Sequence, residues 1–71
     1  MNQDLHGRIK ELRESRNLSR SALSELCGLS RNMIGIYERG EAEPSAATVC
    51  ALADIFRVST DYLLGRTDRR E

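Results

Sequence analysis

The chain has 71 residues, of which 31% are charged and 4% are aromatic, and its eleven Lys and Arg residues balance eleven Asp and Glu residues. A chain of this length makes one small domain and has no room for a catalytic cleft between domains. Its first ten residues have no apolar stretch of signal-peptide length, and no apolar run approaches the roughly 18 residues of a transmembrane helix, so we expect a soluble, cytoplasmic protein without membrane contact.

A first helix is predicted near residues 3–16, because Leu5, Ile9 and Leu12 follow helical spacing and form one apolar stripe. His6, next to Leu5, is expected to be a surface residue. The charged residues between the apolar positions are predicted to face solvent: Arg8, Lys10, Glu11 and Glu14.

Four later helix starts share one pattern, in which an apolar residue or proline precedes a serine and another apolar residue follows four positions after that serine. The serine hydroxyl can accept a hydrogen bond from a first-turn amide, and the flanking apolar pair forms a hydrophobic staple. The serines are Ser19, Ser30, Ser45 and Ser59. They predict helices near residues 20–27, 31–39, 46–57 and 60–64.

Helix ends are predicted at residue types that accept the left-handed conformation: Asn17, Gly28, Gly40 and Gly65. Strand signals are absent, since no stretch alternates apolar and polar residues for long. We therefore predict an all-α domain over residues 1–65. Residues 66–71 have no apolar anchor and are expected to form a flexible tail.

The apolar stripes predict a core made by residues from all five helices: Leu5, Ile9, Leu12, Leu23, Cys27, Ile34, Tyr37, Val49, Leu52, Ala53, Phe56 and Leu63. Three residues are expected to close its corners: Leu18, Leu29 and Val58. Cys27 and Cys50 lie far apart without nearby metal-ligand partners, so both are expected to be reduced and at least half-buried. With one histidine and no glycine-rich phosphate loop, the sequence favours neither an enzyme nor a metal or cofactor site.

Only residues 28–30 separate the second and third predicted helices, which is short enough for the steep angle of a helix-turn-helix. In that geometry the second helix of the pair enters the major groove of DNA. With Ile34 and Tyr37 turned inward, the outward residues are Arg31, Asn32, Gly35, Ile36 and Arg39. Arginine pairs with guanine O6 and N7, and asparagine with adenine N6 and N7, so Arg31 and Asn32 are predicted to read base edges.

From Ile9 to Gly65 the chain resembles the Cro and phage-repressor type of helix-turn-helix domain, the XRE family. The motifs that carry the resemblance are Leu18-Ser19 with Leu23, Gly28-Leu29-Ser30, Ile34 with Tyr37-Glu38-Arg39-Gly40, Pro44-Ser45, Leu52-Ala53, and Val58-Ser59 with Tyr62-Leu63-Leu64-Gly65. The resemblance implies a compact five-helix, lambda-repressor-like domain. It also implies a transcriptional regulator, predicted to be a repressor, that binds a palindromic double-stranded operator as a homodimer. No small-molecule ligand is evident in the sequence.

Residue by residue, the resemblance implies base reading by Arg31, Asn32 and Ile36, and phosphate contacts by Ser19, Arg20 and Arg39. It also implies an ion pair between Arg13 and Glu38 that braces the first helix against the third; the alternative is two solvated charges.

Several residues depart from the family pattern. Arg20 stands where glutamine is frequent, although arginine also suits a phosphate contact. Ile36 replaces a polar or basic side chain and could read only apolar surface such as a thymine methyl, while Gly35 stands where serine is frequent. Glu41 and Glu43 either lie near phosphates and lower affinity, or face away.

The main alternative function is a protein-interaction module on the same fold, which the zero net charge and Ile36 would also suit. The distribution of charge separates the two hypotheses. DNA binding is favoured if five arginines share one face without intermingled acids: Arg13, Arg16, Arg20, Arg31 and Arg39.

Two further points stay open in the sequence. Tyr62 and Leu64, beside Leu63, either form a small dimer contact or complete the core of the monomer. The chain is either a complete small regulator or the N-terminal part of a longer one.

Overall fold

The computed structural model describes residues 4–70, which form five helices and no strand. The helices are α1 (Leu5–Ser15), α2 (Arg20–Leu26), α3 (Met33–Glu38), α4 (Ala46–Phe56) and α5 (Thr60–Leu63). The predicted all-α class is confirmed. The predicted first residue of the first helix, residues 1–3 of the predicted domain and residue 71 of the predicted tail lie outside the described residues.

Serine caps begin three of the helices as predicted. The hydroxyls of Ser19, Ser45 and Ser59 each accept a hydrogen bond from the amide three residues later, at 3.0, 3.2 and 3.0 Å. The fourth prediction is wrong, because α3 begins at Met33 and the amide of Met33 bonds to the carbonyl of Ser30 rather than to its hydroxyl. The predicted start of this helix at residue 31 was therefore two residues early.

Ser24, a fully buried residue of α2, takes over the capping of α3. Its hydroxyl donates to the carbonyl of Arg31 at 3.3 Å and accepts from the amide of Ile34 at 3.2 Å. One side chain thus satisfies one backbone group of the turn and one of the first turn of α3, and so attaches α2 to the beginning of α3, which helps to fix the angle of the helix pair.

The predicted left-handed positions are confirmed, with φ values of 56°, 70°, 73° and 83° at Asn17, Gly28, Gly40 and Gly65. Sequence reasoning missed Arg57, which ends α4 with a φ of 57°. Arginine is not a residue type that signals this conformation, so no local pattern could have indicated it.

The predicted apolar core is buried, apart from Cys27 and the three corner residues, which are half-buried and pack against it. Tyr62 joins this core with 6% of its surface exposed, and Leu63 is fully buried. These two residues therefore complete the monomer. Of the residues suggested for a dimer contact, only Leu64 is exposed.

The two cysteines have free thiols in different environments. Cys27 is half-buried, and this burial raises the pKa of its thiol. Cys50 is exposed, so its expected burial was wrong: it lies on the outer side of α4, next to the inward Val49. Among residues 4–70 no cluster of His, Cys, Asp and Glu has an arrangement that could hold a metal ion.

Arg8 is buried, contrary to its predicted solvent exposure. Its guanidinium donates to the carbonyls of Tyr62 and Thr67 at 2.7 and 2.8 Å and to the Asp68 carboxylate at 2.9 Å. It also lies 4.0 Å from the centre of the Tyr62 ring. These three hydrogen bonds and the aromatic ring replace much of the hydration that the guanidinium loses on burial.

The contacts of Arg8 hold part of the predicted tail against α1, and the amide of Ser59 donates to the carbonyl of Arg70 at 2.6 Å. These anchors are polar, and residues 66–71 contain no apolar residue that would indicate them. The flexibility of residues 66–71 stays a prediction.

His6 is not a simple surface residue either, since only 21% of its side chain is exposed. Its Nδ1–H donates to the carbonyl of Tyr37 at 2.7 Å, and its Nε2 lies 3.2 Å from Glu43 Oε1. His6 therefore joins α1 to the end of α3 and to the following loop.

No helix in the described part of the chain is both long and apolar enough to cross a membrane.

Candidate nucleic-acid interface

An open surface groove runs between α2 and α3, and we call it the α2–α3 groove. Its lining includes every residue predicted to contact DNA: Ser19, Arg20, Arg31, Asn32, Ile36 and Arg39. These residues come from α2 and its N-cap, from α3, and from the two turns that flank α3. The fold therefore gathers two sets of residues, predicted for base reading and for phosphate contact, on one surface.

Arg31 and Asn32 are exposed at the N-terminal end of α3. They lie in the turn before the helix rather than in its first turn, because Ser24 shifts the helix start to Met33. Asn32 occupies the N-cap position, but its side chain makes no capping hydrogen bond. Its amide is therefore not engaged in starting the helix.

Ile36 and Gly35 form the floor of the groove beside these polar residues. Ile36 is half-buried, whereas Gly35, predicted to face outward, is buried. Two arginine side chains cover it: a Cβ at this position would lie 3.1 Å from Arg39 Nη1 and 3.3 Å from Arg20 Cδ. The missing side chain at Gly35 thus leaves space in which both arginines pass close to the helix.

Arg13 and Glu38 are in contact beneath the groove. Arg13 Nε donates to Glu38 Oε2 at 2.6 Å and Arg13 Nη2 donates to Oε1 at 3.3 Å, while Nη1 donates to the carbonyl of Leu18 at 2.7 Å. The two side chains are only 9% and 3% exposed, so this is a buried pair rather than two solvated charges. The hydrogen bond to Glu38 raises the pKa of Arg13. The pair joins α1 to α3.

The two arginines predicted to bind phosphate also have carboxylate partners. Arg20 Nε donates to Glu38 Oε1 at 3.0 Å, so that Glu38 serves both Arg13 and Arg20. Arg39 donates to both oxygens of Glu41, at 3.1 and 3.3 Å. The side chains of Arg20 and Arg39 are more than half exposed and remain accessible from solvent.

The charge distribution of the groove differs from that of the whole chain. Four of the five arginines expected on one face line the groove: Arg13, Arg20, Arg31 and Arg39. Arg16 does not, because its guanidinium donates to the carbonyl of Phe56 at 2.7 Å. Of the two loop acids, Glu41 lines the groove, whereas Glu43 lies beside His6. The groove lining thus carries four arginines and one carboxylate, and the buried Glu38 side chain pairs with two of these arginines. The acid-free face of five arginines that would favour DNA binding is therefore found only in part.

A family model described as helix-turn-helix matches residues 9–63 of the chain. The chain is 40% identical over 60 residues to the SPbeta prophage-derived uncharacterized HTH-type transcriptional regulator YonR of Bacillus subtilis, a match that covers 84% of this chain and 56% of the relative. It is 37% identical over 65 residues to Repressor protein C2 of Salmonella phage P22, covering 90% and 30% respectively. The chain spans about half the length of the first three curated relatives it matches.

Solved structures agree with the sequence matches. The phage P22 c2 repressor in complex with a synthetic operator superposes with a TM-score of 0.82 and 34% identity, covering 87% of this chain and 94% of that one. The restriction-modification controller protein C.AhdI of Aeromonas hydrophila gives a TM-score of 0.76 and 32% identity, covering 83% and 89%. The predicted repressor-like five-helix architecture is confirmed.

Proposed function

Because the chain belongs to the helix-turn-helix family, we propose that it is a transcriptional regulator, specifically a repressor, that binds double-stranded DNA sequence-specifically with α3 in the major groove. The observation that carries this proposal is the α2–α3 groove, whose lining combines exposed arginines with an exposed asparagine at the start of α3. We propose this regulatory role in the cytoplasm in place of an enzymatic one.

Base reading is assigned to the N-terminal end of α3. Arg31 offers a fork of donors that matches guanine O6 and N7, and the Asn32 amide matches adenine N6 and N7. Ile36 lies farther along the groove, where an apolar side chain suits a thymine methyl. Each half of the operator is therefore read by few hydrogen bonds, which makes the pairing of two copies important for specificity.

Phosphate binding is assigned to residues at the edges of the groove. Arg20 and Arg39 supply exposed guanidinium groups. The Ser19 hydroxyl accepts the capping hydrogen bond of α2 and lies 3.3 Å from the Ser21 hydroxyl. When Ser21 is the donor of that contact, the Ser19 O–H can donate to a phosphate. These contacts position the domain and contribute no base preference of their own.

We propose that two copies bind a two-fold symmetric operator. This proposal is supported by the likeness to the phage P22 c2 repressor, whose structure was solved with a synthetic operator. In such a dimer the two copies of α3 are spaced by about one DNA turn, roughly 34 Å.

Binding selection from a pool of random DNA duplexes tests the proposal. We expect the chain to enrich one motif, two-fold symmetric if two copies bind together. Recovery of no enriched motif at low salt would contradict sequence-specific binding and favour the protein-interaction alternative.

A further inference from the structure

Glu41 is the one carboxylate among the described residues lining the α2–α3 groove, and it holds Arg39 by two hydrogen bonds. Arg39 Nε lies 3.1 Å from Glu41 Oε2, and Arg39 Nη2 lies 3.3 Å from Oε1. This two-point arrangement is also the one that a guanidinium offers to the oxygens of a phosphate. The carboxylate therefore occupies the donors that a DNA phosphate would use.

We propose that Glu41 is a built-in competitor for the DNA backbone, which must displace it to reach Arg39. The inference rests on the proposed function and assigns Glu41 a role within it. Glu41 lowers the affinity for all DNA sequences alike and leaves the ratio of affinities between selected and unrelated sequences unchanged. It therefore sets the overall affinity of the domain without touching a base.

The backbone holds Glu41 in this position. The left-handed conformation of Gly40, with a φ of 73°, turns the chain at the end of α3. The amide of Glu41 then donates to the carbonyl of Ile36 at 3.1 Å. The carboxylate is thereby kept close to Arg39 while the arginine itself passes over Gly35.

The surroundings of the Arg39–Glu41 pair allow a phosphate to replace the carboxylate. The side chains of Arg39 and Glu41 are 57% and 58% exposed, and an ion pair so exposed to water is weak. Glu38 differs, since its side chain is 3% exposed and it keeps Arg13 as a partner when Arg20 moves away. Of the two carboxylates, Glu41 is therefore the one that an incoming phosphate can replace.

The first test compares the wild type with the variants Glu41→Gln and Glu43→Gln, using one duplex with the selected motif and one unrelated duplex at the same salt concentration. We expect Glu41→Gln to raise affinity about two- to five-fold on both duplexes. Glu43→Gln removes the same charge beside His6, and we expect a change below about two-fold.

The second test repeats Glu41→Gln in an Arg39→Ala background, which lacks the guanidinium for which Glu41 and the DNA phosphate compete. We expect the gain in affinity to disappear there. A gain that persists would mean that Glu41 repels DNA directly, and an equal gain from Glu43→Gln would reflect net charge alone; either result would overturn the inference. DNA binding without a gain from Glu41→Gln would overturn the inference alone, whereas no binding by any variant would overturn the proposed function with it.

Discussion

Arg8 and Arg39 carry the same guanidinium group in opposite surroundings. Arg8 is buried beside the C-terminal segment, and its donors go to two carbonyls and one carboxylate. Arg39 is 57% exposed in the α2–α3 groove, where its partner Glu41 is equally open to solvent. Neither the number of arginines nor the net charge therefore locates a nucleic-acid surface in this chain. The solvent exposure of each guanidinium, together with its partners, locates that surface.

Among the buried charged groups, we expect Glu38→Ala to reduce stability most. It leaves Arg13 as a buried cation without its carboxylate, which we expect to cost about 3–5 kcal/mol in the free energy of unfolding. Urea denaturation followed by circular dichroism measures this cost. The control is Glu14→Ala, since Glu14 is 58% exposed and lies 3.8 Å from Arg13; we expect it to cost less than about 0.5 kcal/mol. Equal losses from both variants would contradict a special role for the buried pair.

The same pair has a defined pH dependence. Because the hydrogen bond to Glu38 raises the pKa of Arg13 in the folded state, its contribution to stability is complete below the ordinary arginine pKa. It is lost only as pH rises through the still higher folded-state value. Between about pH 6 and pH 9, we therefore expect the free energy of unfolding to depend on pH in the same way in the wild type and in Arg13→Met.

Arg8→Met tests whether a buried arginine contributes to stability but not to DNA binding. It removes the donors to the Tyr62 and Thr67 carbonyls, and we expect a loss of about 1.5–3 kcal/mol in unfolding free energy with little change in DNA affinity. Hydrogen exchange of the Ser59 amide, which bonds to Arg70, should become faster. Lys10→Met on the exposed face of α1 is the matched control. A loss of DNA affinity equal to that of Arg39→Ala would contradict the division between buried and groove arginines.

Two glycines near the groove give the smallest effects, with opposite signs. Gly35→Ala should raise stability by about 0.5–1 kcal/mol, because helical alanine is favoured and the covering arginine side chains can shift by a few tenths of an ångström. Gly40→Ala should lower stability by about 1 kcal/mol, since its φ is 73°. Thermal unfolding of both variants checks the signs. Destabilisation by Gly35→Ala would mean that the two arginines are held rigidly over the helix.

Most of the fold was predictable because its signals are local. Serine caps lie three residues from the amides they bind, and glycine or asparagine marks four helix ends. The start of α3 was missed because the hydroxyl that caps it belongs to Ser24, ten residues before Ile34. The burial of Arg8 was missed for the same kind of reason, since its partner Tyr62 is 54 residues away.

The candidate site was predictable in its residue types and in one contact, the Arg13–Glu38 pair that the resemblance implies, but not in its other contacts. Helical spacing and the resemblance identified Arg20 and Arg39 as outward cations. No sequence pattern could show that both pass over Gly35 or that Glu38 lies between Arg13 and Arg20, because these contacts depend on how α1, α2 and α3 pack together.

We propose that the N-terminal end of α3 reads bases while the groove edges bind phosphate. Titrations of the selected duplex and of an unrelated duplex with Arg31→Ala, Asn32→Ala and Arg20→Ala distinguish these two roles. We expect the first two variants to lose about 1–3 kcal/mol on the selected duplex and little on the unrelated one. Arg20→Ala should weaken both duplexes equally and reduce the salt slope by about 1. Equal losses on both duplexes from Arg31→Ala and Asn32→Ala would contradict base reading at this site.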